Sequence, residues 1–69
     1  MQTINIEAEP GEIINEFTQR MIDTVKSAKD KNYTLVIGIF NGIEIKANVY
    51  SHKRLLIDRY HALLMEQQS

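Results

Sequence analysis

The chain has 69 residues, room for one domain over residues 1–69, close to the lower limit at which a single apolar core can sustain itself. Eight Lys plus Arg against nine Asp plus Glu leave a net charge of −1, which excludes both the basic balance of a typical nucleic-acid binder and the acidic balance of a nucleic-acid mimic. No cysteine is present, so a disulfide framework and a thiolate metal site are both ruled out.

A reducing, cytoplasmic setting is therefore expected. No apolar stretch reaches membrane-spanning length, and the start "MQTINIEAEP" lacks the basic and apolar segments of a secretory signal. A thin core without staples also favours burial against a second copy, with a homodimer as the first expectation.

The first element reads as a strand over about residues 2–8. Ile4, Ile6 and Ala8 alternate with Thr3, Asn5 and Glu7 at the period of a half-buried strand. Pro10 then suits the first turn of a helix, with Glu12 near its positive dipole end, so a helix is expected over about 10–30. Ile13, Ile14, Phe17, Met21, Val25 and Ala28 fall in an arc of about 120°. Ile22 lies off that stripe. Lys26, Lys29, Lys31 and Asn32 signal the helix end.

Asn41-Gly42 between β-rich runs marks a hairpin of strands 33–40 and 43–50. A two-residue loop would pair Phe40 with Ile43 and set Ile39 against Glu44 and Ile37 against Lys46, a face that mixes apolar and charged partners. A three-residue loop with Gly42 in a bulge would pair Ile39 with Ile43, Ile37 with Ile45, Leu35 with Ala47 and Tyr33 with Val49. Because a one-residue slip turns every side chain over, burial favours the bulged register, with the four isoleucines on one dry face.

A second helix is expected over about 52–67, with Ser51 as its N-cap and Leu56, Ile57, Tyr60, Leu63 and Leu64 on its apolar arc. The order β-α-β-β-α then implies an α+β two-layer domain, a small three-stranded sheet with both helices packed on one face. The pairing of the first strand is left open, in the same chain or in another copy.

Apolar side chains outside the expected core stripes are the natural partner surface, and these are Ile22, Phe40, Leu55 and Met65. Ser51, His52, Lys53 and Arg54 crowd cations at the start of the second helix, where the dipole disfavours them, so a phosphate, nucleic-acid backbone or carboxylate could bind there. The bland reading is a solvated helix start, and scattered cations with no row of stacking aromatics weigh against nucleic acid.

Asp58 and His61 could pair on one helix face, but no nucleophile, phosphate loop or convergent metal-ligand set accompanies them or His52. Tyr33, Tyr50 and Tyr60 are expected to put their rings in the core and their hydroxyls at its rim. Gly38 is expected where the sheet bends or a neighbour approaches closely. The expected function is a non-enzymatic protein-interaction or regulatory module, of adaptor or inhibitor kind, self-associating and needing no cofactor or metal. Anion or nucleic-acid binding is the alternative, and an enzyme comes last.

Overall fold

A computed structural model describes residues 2–68. Its elements are β1 (Gln2–Glu7), α1 (Ile14–Ser27), β2 (Thr34–Phe40), β3 (Ile43–Ala47) and α2 (Lys53–Gln68), with a short 3-10 turn at Lys31–Tyr33. The three-stranded sheet has the order β1-β2-β3. β1 runs parallel to β2, and α1 supplies the crossover that a parallel pair requires; β2 and β3 form the antiparallel hairpin. This is the expected α+β arrangement, and it places the first strand on β2 of its own chain.

The hairpin takes the two-residue loop and corrects the bulged register. Phe40 pairs with Ile43, Gly38 with Ile45 and Val36 with Ala47, which sets Ile39 opposite Glu44 and Ile37 opposite Lys46. Asn41 and Gly42 both have positive φ, 53° and 77°, as a type I′ turn demands, and that turn matches the twist of the two strands. The isoleucines are accordingly divided: Ile43 and Ile45 are in the core, whereas Ile37 and Ile39 lie half-buried on the opposite face.

Burial still chooses the register, but between two apolar faces of β2. Val36, Gly38 and Phe40 form one and Leu35, Ile37 and Ile39 the other, so β2 is almost indifferent, while β3 is apolar only through Ile43, Ile45 and Ala47. α1 can lie close against the Gly38 side because no side chain stands there to hold it off. A Cβ added to Gly38 would lie 2.8 Å from Met21 Sδ and from two Phe17 ring carbons, the close approach expected for this glycine.

α1 begins four residues later than Pro10 implies. Glu9-Pro10-Gly11-Glu12 is instead a β-turn with the pattern of type II: Gly11 has φ +83° and the Glu12 N–H donates to the Glu9 carbonyl at 3.0 Å. A glycine held at that φ cannot belong to a right-handed helix. The first helical bond runs from Phe17 N–H to the Ile13 carbonyl, and Glu16 accepts the Ile13 N–H at 3.2 Å. Ile13 therefore stays outside the core, 56 % exposed. At the other end the backbone turns extended at Ala28, and Thr34 Oγ1 donates to the Asp30 carbonyl, tying the 3-10 turn to the start of β2.

Phe17, Met21, Ile22 and Val25 of α1 meet Val36, Ile43, Ile45 and Ala47 of the sheet and Leu56 and Tyr60 of α2 in one core. Ile22, off the expected stripe, is covered because α2 packs beside α1 and widens the buried arc. Phe40 bridges the helices, with its ring 5.5 Å from Phe17 and 5.2 Å from Tyr60, the latter edge-on. Tyr60 occupies the core as expected, but Tyr33 and Tyr50 are exposed, since β2 and β3 are each shorter than expected and leave them in the flanking turns.

Candidate functional site

β3 is an edge strand, and its hydrogen-bonding phase follows from the turn. In a two-residue hairpin the residues flanking the loop exchange both backbone bonds, so Ile43, Ile45 and Ala47 bond to β2. The Ile39 carbonyl accepts from Ala8 N–H in the other direction, at 2.9 Å, consistent with that alternation. Glu44 and Lys46 thus aim their N–H and C=O groups outward along the free edge. Asn48, next in phase, is occupied: its N–H donates to Ser51 Oγ at 2.9 Å and its carbonyl accepts the Ser51 N–H at 3.1 Å.

Alongside this edge runs a groove of about 790 Å³ between β3 and α2, lined among others by Ile45, Lys46, Leu55, Leu56, Arg59 and Leu63. Leu55 and Arg59 stand four apart on the side of α2 that faces it. Leu55 is 61 % exposed, so an apolar side chain stands open to solvent beside the strand edge. Glu44 and Lys46 face isoleucines in their own sheet, so neither has a cross-strand charge partner there. Their aliphatic stems lie beside Ile39 and Ile37 and help to screen the apolar stripe on the sheet's outer face.

No family model, curated protein or solved structure matches the chain. Function has to be read from this geometry.

The structure separates the four residues expected to form a partner surface. Ile22 is in the core and Phe40 is half-buried between Phe17 and Tyr60, so both serve packing. Leu55 lines the groove. Met65 is 70 % exposed but sits about 80° around α2 from Leu55 at ~100° per residue, on a different side. The expectation missed Glu44, Lys46 and Arg59, whose placement depends on β3 being an edge. The parallel pairing of β1 with β2 makes it one, and nothing local in the β3 sequence announces that.

At the start of α2 the Leu56 N–H donates to the His52 carbonyl, which makes His52 the residue before the helix. Ser51, the expected cap, turns its hydroxyl back to Asn48. Arg54 leans toward Asp58 at 3.8 Å, with both side chains largely exposed, and Lys53 begins the helix beside them. Asp58 therefore neighbours Arg54, whereas the His61 ring contacts Tyr60. Among the described residues no three His, Asp or Glu side chains gather as a metal site would need, and no helix is long and apolar enough to cross a membrane.

A second polar cluster fixes the opposite side of the domain. Arg20 of α1 donates through Nε and Nη2 to the two carboxylate oxygens of Glu12, at 3.0 and 2.8 Å, and through Nη2 to the Glu7 carbonyl at the end of β1. Its guanidinium also lies 5.3 Å from the centre of the Phe17 ring. Glu12 accepts the Glu9 N–H as well, so one carboxylate joins the turn to the helix. The hydrogen bond from Arg20, and then that from Glu9, holds the Glu12 carboxyl below its ordinary range, and the same pairing raises Arg20.

A depressed carboxyl contributes stability that is complete above its unfolded pKa and is lost as the pH falls through its folded value. Arg20 stays charged throughout that window. Glu12→Gln is expected to flatten the acid limb of the stability profile, measured by denaturant unfolding at a series of pH values. An acid limb as steep as that of the unaltered protein would contradict the role given to Glu12.

Proposed function

We propose that the chain is a small, non-enzymatic protein-interaction module of regulatory, adaptor or inhibitor kind, working in a reducing, cytoplasmic setting. It acts through the groove between β3 and α2, and it associates with itself there. One observation carries this reading: outward-pointing backbone groups on β3 lie beside an exposed leucine on the facing side of α2. Strand edges left open in this way pair with another chain unless they are blocked, and the adjoining groove supplies apolar contact as well. Single exposed apolar residues are ordinary on a protein surface, but Leu55 gains meaning from the edge next to it. No comparable arrangement supports an anion site at Ser51, His52, Lys53 and Arg54.

Light scattering across a wide concentration range is expected to give a mass above that of the monomer. Leu55→Asp should weaken association about ten-fold or more, because burying a leucine is worth about 1.5–3 kcal/mol. An acid in the first turn suits the helix dipole, so the fold is spared. Met65→Asp, on another side of α2, should leave the mass unchanged. A strictly monomeric protein at every concentration would defeat the reading.

A further inference from the structure

We infer that two copies of the chain join by antiparallel pairing of β3 with β3, in the one register that sets Glu44 opposite Lys46 of the second copy and Lys46 opposite its Glu44. This rests on the groove reading above and names the occupant of the groove.

Hydrogen-bond phase limits the pairing first. Within the strand only Glu44 and Lys46 present backbone groups to the free edge, and an antiparallel partner must meet outward groups with outward groups. A slip of one residue would set the outward groups of one copy against residues already bonded to β2. The permitted registers therefore differ by two residues.

Charge and the flanking turns decide among them. One neighbouring register places Glu44 against Glu44 and brings Gly42, in the hairpin loop, against Lys46. The other places Lys46 against Lys46 and asks Asn48 to pair, although its N–H and carbonyl are already engaged by Ser51. Like charges directly opposite are destabilising and opposite charges stabilising. Only the register centred on Ile45 opposes unlike charges at both positions and uses every outward group of the strand. β1, the other edge, carries Thr3, Asn5 and Glu7 in alternation and offers no such self-complementary charges.

The symmetry agrees with the helix layer. Antiparallel pairing of like edges has its two-fold axis perpendicular to the sheet, so the helices of both copies remain on one side. Each α2 then flanks the joined strands, and Leu55 and Arg59, which line the groove of one copy, face the other. The charged row formed by Glu44 and Lys46 continues across the junction on the opposite face.

Charge exchange tests the register. Glu44→Lys alone and Lys46→Glu alone each create two like-charge pairs by symmetry, and each should raise the dimer dissociation constant roughly ten-fold. An equimolar mixture of the two variants should recover association through a heterodimer in which both pairs are again unlike. In the unaltered protein, hydrogen exchange at the Glu44 and Lys46 amides should slow as concentration rises, while Ile43, Ile45 and Ala47, bonded to β2, stay protected throughout. A protein that dimerises, but whose variants fail to recover on mixing and whose Glu44 and Lys46 amides are insensitive to concentration, would overturn the register and leave self-association standing. Absence of any dimer would overturn both.

Discussion

Gly38→Ala is expected to destabilise the protein by about 1–3 kcal/mol, the usual result of forcing an extra carbon into a filled core. The new Cβ would stand 2.8 Å from Met21 Sδ and from Phe17 Cε2 and Cζ. The methionine sulfur can swing aside, but the phenylalanine ring is held by Phe40 and by the strand beneath it. α1 must then lift from β2, which also loosens Val25 and Ile22. Gly38 lies in an ordinary strand conformation, so the effect comes from space and not from backbone freedom. In urea unfolding the midpoint should fall with the denaturant slope unchanged. A midpoint equal to that of the unaltered protein would show that α1 does not sit this close to the sheet.

The same glycine explains which parts of the fold were legible in the sequence. The element order and the two-layer architecture follow from periodicity in β1 and β3, where apolar and polar positions alternate, and from the main apolar stripes of the helices, which Ile22, Leu55 and Met65 depart from. β2 is different. Leu35, Val36, Ile37, Ile39 and Phe40 are apolar on both faces, so alternation within the hairpin does not choose a register. Two other signals do: the tolerance of Asn41 and Gly42 for positive φ, and a gap in side-chain volume at Gly38 that lets a helix lie against one face only. Charged partners opposite Ile37 and Ile39 do not count against the two-residue loop, because the same register lines Val36, Gly38 and Phe40 up with Ala47, Ile45 and Ile43 on a second, wholly apolar face.

Two further differences have the same origin, local signals overridden by what the chain does next. Pro10 suits a helix start, but Pro followed by Gly11 suits a type II turn better, and the turn is what carries β1 into the crossover. Ile22 is polar-sided on the wheel of α1 taken alone and buried once α2 lies alongside. The groove was legible only through Leu55. Its strand side depends on topology, since Glu44 and Lys46 belong to a free edge only because β1 pairs with β2 and not with β3.

Phe17→Ala should have the largest effect of any single substitution considered, a loss of about 3–5 kcal/mol. At about 0.05–0.15 kcal/mol per residue, a 69-residue chain has a total stability of about 3–10 kcal/mol, so this change alone can unfold it. Phe17 is fully buried and joins the layers: it lies on Gly38 of β2, touches Phe40 and carries the guanidinium of Arg20 near its face. Its removal leaves a cavity at the point where the two helices and the sheet converge, and it withdraws the ring that sets Phe40 against Tyr60 of α2. The position of α2 beside β3 depends on that chain of rings, so partial survival of the fold should still disturb the groove. Phe17→Leu, which removes less volume, should keep the protein folded and allow a double-mutant cycle with Gly38→Ala. Contact between the two sites predicts that the combined loss falls short of the sum, because the smaller side chain makes room for the new methyl. Strict additivity in urea unfolding would mean that Phe17 and Gly38 do not touch, and the packing that selects the hairpin register would need another cause.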